Sequence, residues 1–367
     1  MNRRLALVLV VGSLIVLGGC LGEFIEETPL DTDDADPSVV DDLDGDDHLE
    51  IHHLDVGQGD ATVVVEPSGE TMLIDSGDWR ADGEAVISFL EARGIDRIDH
   101  LVSTHAHADH IGGHAAVIEH VETHGDGVGA VYDSGVAHTS QTYENYLDAV
   151  EAHDVALYEV REGDVIEFGE ATVDVLNPPT EDSGTDLHYN SVTVTITYGE
   201  VTYLTTGDAE ADAESRMVDA HGETLDADIY QAGHHGSSTS STPAFVDAVD
   251  PSMTIISSAY DSQYGHPHDE VLRSFAERGI ETYWTGVHGD VVVATDGESI
   301  AVDAASDGPT DGDALLEAKP DDTDDGQSSV GIAPSGLSHA PIDPSSVSPI
   351  DGPPRGHVNH VAAALST

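Results

Sequence analysis

The sequence predicts an α/β protein, a four-layer αββα sandwich. Two observations carry that prediction. Each half of the central stretch opens on short β-branched apolar runs and continues with helices of one apolar face. Between an apolar run and a helix of the first half lies Ser103-Thr104-His105-Ala106-His107-Ala108-Asp109-His110-Ile111-Gly112-Gly113, which places four metal-capable side chains within six residues. A loop joining a strand end to a helix start can turn several side chains toward one point. Imidazole nitrogen and carboxylate oxygen together suit Zn, Mn or Fe.

In chain order, residues 1–20 read as a signal peptide. Arg3 and Arg4 form a basic start, Leu5 to Leu17 is largely apolar, and Leu17-Gly18-Gly19-Cys20 resembles a lipobox whose cysteine takes the lipid. The expected location is the outer face of the cell membrane, held by a lipid on Cys20; an uncleaved signal anchor would tether the domain there as well. Residues 21–48 are acidic and read as a disordered linker.

The folded domain is expected over 49–302. Leu49–Val56, Ala61–Glu66 and Thr71–Ile74 read as strands, Gly83–Arg93 as a helix, and Ile98–Val102 as the strand that delivers the histidine run. A helix over Ile111–Val121 follows, then strand Val128–Tyr132, helix Thr139–Ala152, and strands near Val155–Val160, Val165–Phe168 and Thr172–Leu176. The second half begins with strands Val192–Tyr198 and Val201–Thr206. A helix over Ala209–His221 follows, then strands at Asp228–Gln231, Met253–Ser257, Glu281–Trp284 and Asp290–Thr295, with helices Thr242–Val249 and His268–Arg278 between them. Residues 303–367, rich in Asp, Ser, Gly and Pro, are expected to be a disordered tail.

Net charge is -61, from 72 acidic and 11 basic residues. Such a fold repels itself in dilute salt, whereas at 1 M salt the Debye length falls to about 3 Å. The composition reads as that of a halophile's protein. The charge would ordinarily oppose a nucleic-acid partner, but molar salt screens phosphate repulsion too. With one cysteine, Cys20, the chain has neither an internal disulfide nor a thiolate metal cluster.

Several motifs accompany the histidine run: Leu54-Asp55-Val56-Gly57-Gln58-Gly59-Asp60-Ala61, Ile74-Asp75-Ser76-Gly77, Asn177-Pro178-Pro179, Asn190-Ser191-Val192, Thr206-Gly207-Asp208-Ala209, His234-His235-Gly236-Ser237 and Tyr264-Gly265-His266-Pro267. Together they resemble the metallo-β-lactamase superfamily, and within it the hydrolase domain of ComEC-type competence proteins. The resemblance implies the αββα sandwich and a hydrolytic centre of two divalent ions, Zn or Mn.

From spacing, His105 and His107 are assigned to metal 1, and Asp109 and His110 to metal 2. By resemblance Asp208 bridges the two; alternatively it caps the following helix. The superfamily usually places a further histidine where this chain has Asn190, and His188 lies out of pattern. The ComEC-like branch implies His234 as the substitute at metal 1 and His266 as completing metal 2. His235 is then either a support for the ligands or an acid near the leaving group, with His235 in place of His234 as the ligand left as the alternative. The catalytic set so implied is Asp109, Asp208, His235 and Asn190, with Asn190, Ser237 and His235 facing the phosphate. Asp55, Asp60 and Asp75 either orient ligand imidazoles or cap turns.

The resemblance implies a phosphodiesterase or nuclease acting outside the cell on a phosphodiester such as DNA. Two other readings remain: an acyl hydrolase of lactonase or β-lactamase type, and a non-catalytic surface lipoprotein that binds metal or DNA. His52, His53, His100, His114, His120 and His124 fall in strand or helix patterns and are expected to be structural or exposed.

Overall fold

The computed structural model describes residues 48–181 and 183–320. The signal segment, Cys20, nearly all of the acidic linker and the tail beyond residue 320 lie outside the described residues. The chain opens with β1 (Leu49–His53), β2 (Thr62–Val65), β3 (Thr71–Ile74), α1 (Glu84–Arg93), β4 (Arg97–Val102), α2 (His114–His124), β5 (Gly127–Asp133), α3 (Gln141–Ala152) and β6 (Ala156–Glu159). It continues with β7 (Val165–Phe168), β8 (Ala171–Asn177), β9 (Thr193–Tyr198), β10 (Val201–Thr205), α4 (Ala211–His221), β11 (Ile229–Gln231), α5 (Pro243–Val249) and β12 (Met253–Ile256). It ends with α6 (Asp269–Arg278), β13 (Glu281–Trp284), α7 (Thr285–His288), β14 (Val291–Thr295), β15 (Ile300–Ala304) and α8 (Gly312–Ala318).

The strands form two mixed sheets, one in the order β15-β14-β1-β2-β3-β4-β5-β6 and one in the order β13-β12-β11-β10-β9-β8-β7. Alternation along each strand divides the apolar residues between two faces. Ile51, Val64, Met72, Val102, Val173, Val194, Tyr203 and Ile255 fill the space between the sheets. Val63, Leu73 and Leu101 pack with Val86 and Leu90 of α1, Val117 and Val121 of α2, and Tyr146 of α3. Leu204, Tyr230 and Ile256 pack with Met217 of α4, Phe245 of α5 and Phe275 of α6. The result is the predicted four-layer αββα sandwich.

Two helices begin later than the pattern predicts. The helix expected from Ile111 starts at His114, because Gly112 is pressed against the Asp78–Trp79 backbone; a Cβ there would lie 2.0 Å from the Trp79 nitrogen. The helix expected from Ala209 starts at Ala211, preceded by Glu210. Asp208 is therefore not its cap.

The predicted boundary at Val302 is too early. β15 runs to Ala304, and α8 buries Leu315 against the α4–α6 layer. Asp311 caps α8 by accepting hydrogen bonds from the Asp313 and Ala314 amides. The Lys319 ammonium then donates to the carbonyls of Gly265 and Pro267 and to Asp269. Leu315→Ala should cost about 2–5 kcal/mol, the range for a fully buried leucine. Truncation after Thr310 should lower the denaturation midpoint in molar salt more than Leu315→Ala does. Truncation after Pro320 should leave it unchanged. Equal midpoints for both truncations would return α8 to the tail.

Candidate metal centre

Strands β3, β4 and β5 run parallel, as do β10, β11 and β12. Ligand sites in such sheets form beyond the carboxyl ends of the strands. Here the loops after β3, β4, β10, β11 and β12 meet at one rim. Asp75 donates its amide to the Val102 carbonyl, Asp60 to Asp109, and His234 to Gly207. Gly207, at φ 51°, brings the β10 loop against the histidine loop; a Cβ there would stand 2.5 Å from Ser191 Oγ. The Asp208 amide donates to that same Ser191 hydroxyl.

Asp208 is buried between two groups of ligands. Its Oδ1 lies 3.1 Å from His110 Nε2 and 3.8 Å from His235 Nε2. Its Oδ2 lies 3.5 Å from His105 Nε2 and 3.5 Å from His234 Nε2. Two sets of ligand atoms follow: Asp60, His110, Asp208 and His235 on one side, and His105, His107, His188 and Asp208 on the other, each within 4.8 Å of one another. Asp109 Oδ2 stands 3.4 Å from His235 Nε2.

These side chains fit a cation better than they fit each other. His110 Nδ1 pairs with Asp75 Oδ2 at 2.7 Å, and His235 Nδ1 with the Ser257 carbonyl at 3.0 Å. Both Nδ1 atoms must donate there, which leaves each Nε2 a lone pair. Those two Nε2 atoms face each other at 3.2 Å. Protonating both would set two N–H groups head to head, and with neither protonated Asp208 Oδ1 is buried with no donor. A divalent ion satisfies all of these atoms together. On the other side His105 Nε2 faces His107 Nδ1 at 2.8 Å.

Electrostatics agree. Burial would depress His110, but the Asp208 and Asp75 carboxylates outweigh it and hold the imidazole well above its ordinary value. Burial likewise opposes His235, yet Asp208, Asp109 and Asp60 push it up to about 9. Burial would raise Asp208, and His110, His235 and His105 hold it far below the carboxylate range. Imidazolium charge thus stands where metal charge would. Burial, with the Asp208 and Asp75 carboxylates, raises Asp60 against the pull of His235 and His110, and Gln231 holds it through a 2.8 Å hydrogen bond.

His234 and His235 adopt φ of 51° and 57°. Left-handed backbone costs a non-glycine residue about 1–2 kcal/mol. The turn is fixed by donation from the Gly233 amide to Tyr230 and from the His234 amide to Gly207. It sends the two imidazoles to opposite sides of Asp208.

The structure places His105 and His107 in one group and His110 in the other, with Asp208 in both, while Asp109 lies outside both groups with its Oδ2 3.4 Å from His235 Nε2. Three further expectations change. His235, and not His266, joins His110 and Asp208. His266 stands apart with its ring 6.3 Å from that of His235 and its Nδ1 3.4 Å from Gln58 Nε2, and burial and nearby histidines pull it down to about 3. His234 reaches Asp208 from the outer side, grouped with His188 and Glu210 instead of His105 and His107.

Asn190 is not a substrate contact. It is buried, its amide group donates to the Asp186 and Ser183 carbonyls, and its oxygen accepts from Ser183 Oγ. With every polar atom spent inside its own loop, Asn190 instead fixes the segment that presents His188. Asp75 orients His110 as one reading had it. Asp55 serves a turn, accepting from the Gly57 amide.

The Metallo-beta-lactamase superfamily matches residues 54–258. The chain belongs to this superfamily. Among curated relatives, this superfamily member is 30% identical over 258 residues to ComE operon protein 3 of Bacillus subtilis (strain 168), covering 66% of this chain and 32% of that protein. It is 29% identical over 236 residues to Competence protein ComA of Neisseria gonorrhoeae, covering 64% and 30% respectively. It thus spans about a third of the length of these curated relatives. Fold, family and the His/Asp cluster together fit the dinuclear metal site of a metal-dependent hydrolase.

His188, Glu210 and Gln231 were missed by sequence reasoning. His188 carried a signal, two residues before the aberrant Asn190. Gln231 carried none, because its contact with Asp60 joins opposite sheets.

Proposed function

We propose that this superfamily member is a metal-dependent phosphodiesterase of the ComEC-like type. It acts outside the cell on DNA or a similar phosphodiester, tethered through lipid on Cys20. The observation that carries the reading is Asp208, whose two oxygens serve two facing ligand groups. Two divalent ions held there supply an acidified water and neutralise phosphate charge. The protein's part is to hold ligands in place: Asp75 fixes the His110 tautomer, the Ser257 carbonyl fixes that of His235, and Gln231 holds Asp60 beneath them.

Charge pairing supports metals as the phosphate grip. Every Lys and Arg among the described residues already sits in an ion pair with a carboxylate. None is free to clamp a phosphate as a bidentate arginine does. Similarity to two proteins named for competence favours a nucleic-acid phosphodiester over an acyl bond.

The test is a side-by-side assay of the purified protein in molar KCl with Mn or Zn. DNA and bis-p-nitrophenyl phosphate should be hydrolysed, and a lactone should not. Lactone turnover without phosphodiester turnover would replace this reading with the acyl-hydrolase one. Stoichiometric metal without any turnover would replace it with a binding role.

A further inference from the structure

We propose that a groove beside the metal centre, walled by Trp79 and the start of α3, is a nucleobase subsite that seats the base next to the scissile phosphate. This rests on the phosphodiesterase reading and names the part of the substrate it would recognise.

The chain has two tryptophans. Trp284 is fully buried, whereas Trp79 leaves 53% of its surface in water. An indole offers a large flat face, and every base has a face that stacks on one. Trp79 lines a groove of about 640 Å3 together with Arg80, the carboxylate of Asp82, Gln141, Thr142 and Asn145. Its lining has the chemistry of base recognition: an aromatic face, a hydroxyl, and two carboxamides that, with Gln141 Nε2 donating to Asn145 Oδ1, still offer the Gln141 oxygen as acceptor and the Asn145 amide as donor to a base edge. Arg80 stacks on the Trp79 ring at 4.9 Å while its charge is spent on Asp78. The groove therefore offers stacking and hydrogen bonds but no free positive charge, which suits a base and not a phosphate.

Both walls are tied to the ligand loop. The Trp79 amide donates to the carbonyl of Ala108, between ligands His107 and Asp109. On the other wall, the segment leading into α3 brings the His138 ring to 6.0 Å from that of His107. His138 Nδ1 is buried without a hydrogen-bond partner. A base lying on Trp79 would thus sit beside the loop that carries His107 and Asp109.

Two esters with one leaving group test this: thymidine 5′-(p-nitrophenyl phosphate) and methyl p-nitrophenyl phosphate, in molar KCl with Mn. Trp79→Ala should lower kcat/KM for the thymidine ester by about five- to a hundred-fold, the stacking contribution of one base, mainly through KM. It should leave the methyl ester unchanged, and Trp79→Phe should restore most of the loss. Equal effects on both esters, or none on either, would overturn the subsite. If wild-type protein cleaves neither ester, the phosphodiesterase reading fails by itself. The groove is then judged by fluorescence: thymidine 5′-monophosphate should quench emission that Trp79→Phe lacks, and inorganic phosphate should not. No selective quenching overturns the subsite there too.

Discussion

Asp208→Ala is expected to leave a folded protein that holds neither metal at stoichiometric occupancy and shows no measurable turnover. Its carboxylate is the one group common to both ligand sets, Oδ1 facing His110 and His235 and Oδ2 facing His105. Losing an outer hydrogen-bond partner of a ligand typically costs roughly 10–100-fold in metal affinity, and loss of the shared ligand itself should exceed that at both positions. Folding should survive. Its loss leaves the buried His110 and His235 without their strongest anionic neighbour and should lower stability somewhat, but the three apolar clusters that carry the fold do not include it. Asp208→Asn separates charge from shape: it fills the same volume yet leaves His110 and His235 without their strongest anionic neighbour. Metal content by mass spectrometry, with circular dichroism at matched salt, reads both effects. One metal retained at full occupancy in Asp208→Ala would show that Asp208 serves a single ion and that the centre is not bridged.

Much of the fold was legible because strand and helix periods are local properties. The histidine run was legible for the same reason: four ligands on one short loop need no long-range information to be seen together. Asp208 was legible through the resemblance carried by Thr206-Gly207-Asp208-Ala209, and the close approach at Gly207 is what sets it between the two groups. α8 was not legible. Its seven residues offer only Leu315 and Leu316 as large apolar side chains, and so short a helix exists by packing on α6 and by the Asp311 cap, not by propensity. The identity of the histidine opposite Asn190 was not legible either. Where His188 points depends on the hydrogen bonds that Asn190 makes to Ser183 and Asp186. The choice between His234 and His235 depends on two consecutive positive φ angles, which no hydropathy pattern encodes.

That choice sets up the second large effect. His235→Ala should strip the ion shared with His110 while leaving the one at His105 and His107, with turnover lost. His266→Ala should leave both ions bound. The two imidazoles stack at 6.3 Å and have opposite settings: His235 is fully enclosed by carboxylates and pushed up to about 9, whereas His266 is pulled down to about 3. Only His235 has one nitrogen committed to a carbonyl, at Ser257, and the other aimed at Asp109 and Asp208. Alanine at φ 57° is itself strained, so a fall in stability would confuse the result. His235→Asn removes that difficulty, since asparagine tolerates left-handed backbone better than most residues and its amide is a poor ligand for Zn or Mn. It should fold like wild type and bind one ion. If His266→Ala loses an ion while His235→Asn keeps two, His266 is the ligand, and the loop pinned by Lys319 must swing inward when metal binds.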